Sequence, residues 1–307
     1  MSMTVSEGQS IASPSVFHIF VKTTSMAKEV FIHNSRLFKK SLSLADIIGD
    51  NTYEVSYLDD KMRMTTQKSE SCFTLLFDRN CIGRGVQVVE NTKDTVHLAV
   101  NLPCTLEEIQ MLYIVSRRIA SIWKSDSIMV EDTKVSLSEI KKMEEHDIAM
   151  NKSLLGDAPK LFGDDYATLY CATLPICIPV KQLQGYSDDY QGFSQFLNEK
   201  QRLGAFYSCP IFYTLNGEVI SLYVGISEGE FILPNKPRMS FMNDGKEVQC
   251  DKALIAIPEV FPDEKISRLD YQTFVDRIPK EKVSEFDCQH MLISNLSLEE
   301  LQSIYKE

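Results

Sequence analysis

Cys72-Phe73-Thr74-Leu75-Leu76-Phe77, Gly83-Arg84-Gly85-Val86-Gln87-Val88-Val89, Val96-His97-Leu98-Ala99-Val100 and Thr105-Leu106-Glu107-Glu108 follow one another within one short stretch, and their reading decides the fold. The first run is apolar and strand-length. In the second, Val86 and Val88 alternate with Gln87; in the third, Val96, Leu98 and Val100 share a face. A period of two marks strands with one buried side. The polar residues 90–94 make the turn between them, and Pro103 ends the last strand. Thr105 and Glu108 have the spacing of a capping box, in which the hydroxyl accepts from the third amide onward and the carboxylate reaches back. Over 106–124, Glu107, Gln110, Arg117, Arg118, Ser121 and Lys124 fall on one face, while Ile109, Leu112, Tyr113, Val115, Ile119, Ile122 and Trp123 take the rest. Ile114 is the apolar intruder on the polar stripe, as a second domain docking there would explain. An amphipathic helix covering a sheet is expected.

Outward from this block the same style continues. Strands are expected at 16–21, 29–32 and 53–58, with a short serine-capped helix at 41–49 and a polar loop at 59–70. Downstream, 128–130 and 133–135 read as edge strands, and a short helix starts at Ser136 and runs through Met143 into the polar residues 144–152. Gly156, Pro159 and Gly163 punctuate the pattern, which places a domain junction within 147–163. Beyond it lie a strand over 168–174 and a helix capped by Asp188 or Asp189 that runs to Leu203. Asn216-Gly217 between two strands signals a type I′ hairpin, because both turn residues tolerate positive φ. A helix closes the chain at 297–305. The expected fold class is α+β, with two mainly antiparallel sheet layers, each covered by amphipathic helices. The expected organisation is a tail over 1–15, an α+β domain over 16–150 and a second α+β domain over 160–307.

The similarity of 101–110 to 295–302, each an Asn-Leu exit followed by a Ser or Thr cap and Glu-Glu, is read as recurring capping chemistry, since no longer period accompanies it. With 44% hydrophobic and 24% charged residues the chain has globular composition. Its net charge is −11, and the acidic excess is larger beyond residue 150. Nucleic-acid binding without sequence preference needs a basic surface, so nucleic acid is not an expected partner. No secretory signal or membrane-length apolar run is visible, so no membrane partner is expected. Eight dispersed cysteines, without short paired spacings, suggest reduced thiols in the cytoplasm.

Recognisable chemistry is sparse. Gly225-Ile226-Ser227-Glu228-Gly229 matches the string of a nucleophile elbow, but a strand follows where the elbow needs a helix, so a turn is expected. Gly83-Arg84-Gly85 opens a strand, whereas phosphate cradles open a helix; bulge or turn glycines fit better. Cys81, beside Arg79 and Arg84, is the thiol in the most positive local sequence. Cys288-Gln289-His290 is a local ligand pair, too small for zinc, and Cys171 and Cys177 suit strand interiors. The loops at Gly163-Asp164-Asp165-Tyr166 and Gly185-Tyr186-Ser187-Asp188-Asp189-Tyr190 suit a tyrosine-rich partner surface, or ordinary helix capping. No catalytic, cofactor-binding or metal residue is assigned from the sequence, and no cofactor is expected.

The run from Gly83-Arg84-Gly85-Val86 through Leu102-Pro103-Cys104-Thr105 and the helix ending near Trp123 resembles a bacterial family described only as a domain of unknown function, mainly over residues 72–145. The resemblance implies a bacterial cytoplasmic protein and carries over no catalytic residues. The functional expectation is a non-catalytic protein-interaction module, an adaptor or immunity-type inhibitor with a protein partner. The alternative is an enzyme with a dispersed site, drawing on Cys81, Cys288 with His290, or Ser227.

Overall fold

The computed structural model describes residues 26–49, 52–58, 64–65, 72–260 and 268–306. The expected tail over 1–15, the strand at 16–21 and most of the 59–70 loop lie outside the described residues. The chain forms two compact units that divide between Leu203 and Gly204.

In the first unit, β1 (Ala27–His33), β2 (Tyr53–Leu58), β3 (Met64–Thr65), β4 (Phe73–Asp78), β5 (Cys81–Asn91), β6 (Thr95–Asn101), β7 (Ser127–Val130) and β8 (Thr133–Ser136) form one sheet in the order β3-β2-β4-β5-β6-β1-β7-β8. Every pairing in it is antiparallel. The short helix α1 (Leu44–Ile48) carries a capping box from Ser43 and Asp46. The long helix α2 (Leu106–Trp123) starts on the capping box of Thr105 and Glu108, as the sequence predicts. Its apolar face buries Ile109, Leu112, Val115, Ile119 and Trp123 against Val30, Ile32, Val86, Leu98 and Val100 of the sheet. Each such side chain contributes about 1.5–3 kcal/mol when fully buried, so this seam is a large stabilising contact of the unit.

Helix α3 (Ile140–Gly156) runs far beyond the end expected at Met143, and the stretch proposed as a domain junction is helical through Gly156. Its buried stripe is Ile140, Glu144, Asp147, Asn151 and Leu155. The helical period is present, but three of its five inward positions are polar, so a hydrophobic pattern does not show it. The helices α4 (Ala158–Phe162), α5 (Val180–Gly185) and α6 (Tyr190–Gln201) and the hairpin of β9 (Tyr166–Leu169) with β10 (Ile176–Pro179) complete the unit. The strand expected over 168–174 stops at Leu169 because the backbone beyond it bonds elsewhere. Tyr170 O accepts from Arg84, Ala172 N donates to Gly83 O, and the Gln201 amide holds Thr173 and Leu174.

The second unit contains two four-stranded sheets. One joins β11 (Phe206–Tyr207), β14 (Phe231–Pro234), β20 (His290–Ile293) and β19 (Val283–Asp287) in the order β11-β14-β20-β19. The other joins β12 (Ile211–Leu215), β13 (Glu218–Val224), β17 (Lys252–Ala256) and β18 (Arg268–Asp270) in chain order. In each sheet one pairing is parallel, β11 with β14 and β13 with β17, and the others are antiparallel. A separate hairpin pairs β15 (Ser240–Asn243) with β16 (Lys246–Gln249). The β12–β13 turn has φ of 52° at Asn216 and 86° at Gly217, the signs a type I′ turn requires. The helices α7 (Tyr271–Arg277) and α8 (Leu298–Lys306) close a core of Phe231, Leu233, Ile255, Phe274, Ile293 and Leu301. Antiparallel pairing dominates, helices cover the sheets, and the class is α+β.

Candidate functional site: a groove between α2 and α3

The glycines of the Gly-Arg-Gly run set where α2 begins. Across β5 the register to β4 jumps between the Leu76–Val86 and Asp78–Cys81 pairs, so residues 82–85 bulge. Gly85 has φ of +80°, and a Cβ there would sit 2.7 Å from Leu75. A Cβ on Gly83 would sit 2.8 Å from the Glu108 carboxylate. The capping glutamate thus comes right up to the bulge: one oxygen accepts from Thr105 N at 2.7 Å and the other from Gly85 N. Arg84 turns inward and donates to the carbonyls of Tyr170 and Pro103, both at 3.1 Å. The run that resembled a phosphate loop is a socket for a helix start.

With its start fixed, α2 presents Gln110, Ile114, Arg117, Arg118 and Ser121 along its outer side, and with Lys141 and Glu144 of α3 they line a groove of about 840 Å³. Tyr113 and Ile122 complete the α2 wall. Ile114 is 45% exposed within it, an apolar residue on a surface helix face. From Gln110 to Ile122 the groove follows α2 for about 18 Å at 1.5 Å per residue.

The groove's electrostatics follow from its partners. Arg118 is anchored: its Nε donates to Asp46 O at 2.7 Å, and its guanidinium covers Gly49, where a Cβ would meet it at 2.0 Å. Arg117 is exposed and, among the described residues, has no hydrogen bond or ion pair. Lys141 pairs with Glu144 at 2.8 Å, and this bond raises the lysine's pKa while Arg117 opposes it. Three cations against one tied carboxylate leave the groove basic on a chain of net charge −11. Beneath it, the Tyr113 hydroxyl donates to the buried Asp147, whose other oxygen lies 3.0 Å from the Lys28 ammonium. Burial and then that bond raise the Tyr113 pKa, so the phenol stays protonated and serves as floor.

The residues singled out from the sequence fall elsewhere. Cys81 is in the opposite setting from the expected one, because its flanking cations are engaged elsewhere. Arg79 pairs with Glu54 at 2.7 Å and Arg84 points inward, while burial and then Glu107 push the thiol up to about 12. Ser227 sits in a turn between β13 and β14, with Glu228 at φ of 53° and no helix after it. Cys171 and Cys177 are buried. In the acidic-aromatic loops, Tyr166 is exposed, whereas Tyr190 is buried and its hydroxyl donates to Cys104 O at 2.9 Å. Asp189 caps α6 by accepting from Gly192 N at 2.9 Å, so capping accounts for the second loop.

Cys288 occupies a β19–β20 turn, its thiol raised by burial and then by Asp287. His290 bonds Asp287 rather than completing a Cys288 pair, Nδ1 to Oδ1 being 2.8 Å. Asp287 and His290 offer two cation-ligating atoms on one hairpin, where zinc ordinarily takes four. Sequence reasoning missed Asp287, although its place one residue before the Cys288-Gln289 turn is a local signal.

No helix among the described residues is long and apolar enough to cross a membrane. The model of one family, described as a domain of unknown function (DUF4299), matches residues 27–304, and the chain belongs to that family. No curated protein and no solved structure matches it.

Proposed function

We propose that this family member is a non-catalytic protein-interaction module, an adaptor or immunity-type inhibitor of the bacterial cytoplasm, that seats an acidic amphipathic helix of a partner protein in the α2–α3 groove. The observation that carries this reading is the exposed Ile114 at the centre of a groove rimmed by Arg117, Arg118 and Lys141. An apolar strip between two helices receives the apolar face of a third, in the helix-in-groove mode. The cations then meet acidic side chains on the incoming helix, speeding encounter and fixing its register. The eight cysteines are dispersed along the sequence without short paired spacings, the pattern expected of a reducing compartment.

The test replaces Ile114 by the photo-crosslinker p-benzoylphenylalanine in the cells that make the protein, with Leu161, 41% exposed, as the control position. The expected result is one protein crosslinked at position 114 and not at 161, through a segment that is acidic and amphipathic. Crosslinking no greater at 114 than at 161, or crosslinking at 114 to nucleic acid, would overturn the proposal.

A further inference from the structure

Tyr207 and His290 meet because they flank one strand. β14 pairs with β11 on one side and β20 on the other, with Tyr207 opposite Ile232 and His290 opposite Pro234. Ile232 and Pro234 are two residues apart and share a face, so both rings rise on the same side of the sheet and close over β14. Their centroids lie 5.4 Å apart, and Tyr207 Oη is 2.9 Å from His290 Nε2. At the other end of the imidazole, Nδ1 is 2.8 Å from Asp287 Oδ1. Asp287 is 5% exposed and is itself held by the Gln289 amide at 2.8 Å, an Asx turn across Cys288-Gln289. A carboxylate that accepts from Nδ1 leaves the neutral imidazole with its lone pair on Nε2, and in that tautomer the Tyr207 hydroxyl donates to it.

Hydroxyl, imidazole and buried carboxylate in this order are the arrangement that activates a nucleophile, recognised by geometry rather than by sequence position. We propose that, apart from the groove's binding role, Tyr207 undergoes a single self-acylation without turnover: its hydroxyl accepts an acyl group from an uncharged activated ester, with His290 as its base and Asp287 as a positioning residue. Tyr207 Oη attacks the acyl carbon while its proton passes to His290 Nε2. The bond from that carbon to the thiolate or aryloxide leaving group breaks, and the leaving group departs with the proton from His290. The products are an acyl-tyrosine and a free thiol or phenol, with no change of oxidation state. Phosphoryl donors do not suit the site, because they need a cationic clamp, and the group behind the imidazole is an anion.

The test uses p-nitrophenyl acetate on the intact protein, with the acetyl group located by peptide mass spectrometry over time. Tyr207 should be acetylated about a hundredfold or more faster than the exposed Tyr166, the scale of general-base assistance. His290→Gln should bring Tyr207 down to the rate of Tyr166, and Tyr207→Phe should leave Tyr166 unaffected. A structural network would instead shield Tyr207. Equal rates at Tyr207 and Tyr166 in the unaltered protein, acetylation of Cys288 in preference to Tyr207, or undiminished labelling in a folded His290→Gln protein would each overturn the proposal.

Discussion

Gly83 and Gly85 act through what a side chain would displace. At Gly85 an alanine meets both a positive φ and the Leu75 side chain, so Gly85→Ala should cost about 1–3 kcal/mol and lower the Tm by several degrees, measured by thermal melting. An unchanged Tm would mean that the bulge does not set the start of α2. Cys81 gives a second check at this scale. With its thiol pushed up to about 12, the thiolate fraction should still rise tenfold per pH unit between pH 8 and pH 10, whereas a model thiol of pKa about 8.5 levels off there. Iodoacetamide labelling followed over that range decides between the two profiles. The sequence placed Arg79 and Arg84 beside this thiol but could not show which way they turn, because Glu54, Tyr170 and Pro103 reach them only through the fold.

Among the elements, α2 was legible and most of α3 was not. The capping box, the apolar face and the exposed Ile114 of α2 are local facts of spacing. On α3, Glu144, Asp147 and Asn151 occupy the inward stripe because each finds a polar partner: Lys141 on its own helix, Lys28 on β1, and the Cys104 backbone before α2. A hydrophobic pattern cannot reveal a helix face that is buried through polar pairs. The Asp147–Lys28 contact makes this testable. Asp147→Ala leaves the buried Lys28 ammonium only the exposed Glu131, at 3.4 Å, and takes the acceptor from the Tyr113 hydroxyl, so it should cost about 3–5 kcal/mol in urea unfolding, whereas Lys28→Met with Asp147→Leu should recover part of that loss. A single variant within about 0.5 kcal/mol of the original would show that the pair is not supporting the helix. Asn216-Gly217 is the converse case, where turn chemistry alone identified the hairpin. His290 lies between these extremes: Asp287 is three residues away, but Tyr207 is 83 residues away and arrives only through the β11-β14-β20 order.

For the whole molecule, the proposed acidic, amphipathic partner rests on one contrast, a basic, partly apolar groove on one helix pair of an acidic chain. The α+β class and the family were legible because they rest on strand alternation and capping, repeated along the chain. The groove was legible only as the anomaly of Ile114, since its second wall is the helix the pattern hid. Ile114→Glu changes an exposed residue and should leave stability within about 0.5 kcal/mol, which separates loss of binding from loss of fold. The decisive measurement is a calorimetric titration of the partner captured at position 114 against the original protein, Ile114→Glu and Arg117→Glu, at low and high salt. The groove reading predicts at least tenfold weaker binding for each variant and a salt dependence that Arg117→Glu reduces. Equal affinity for all three proteins, with the same salt dependence, would contradict it.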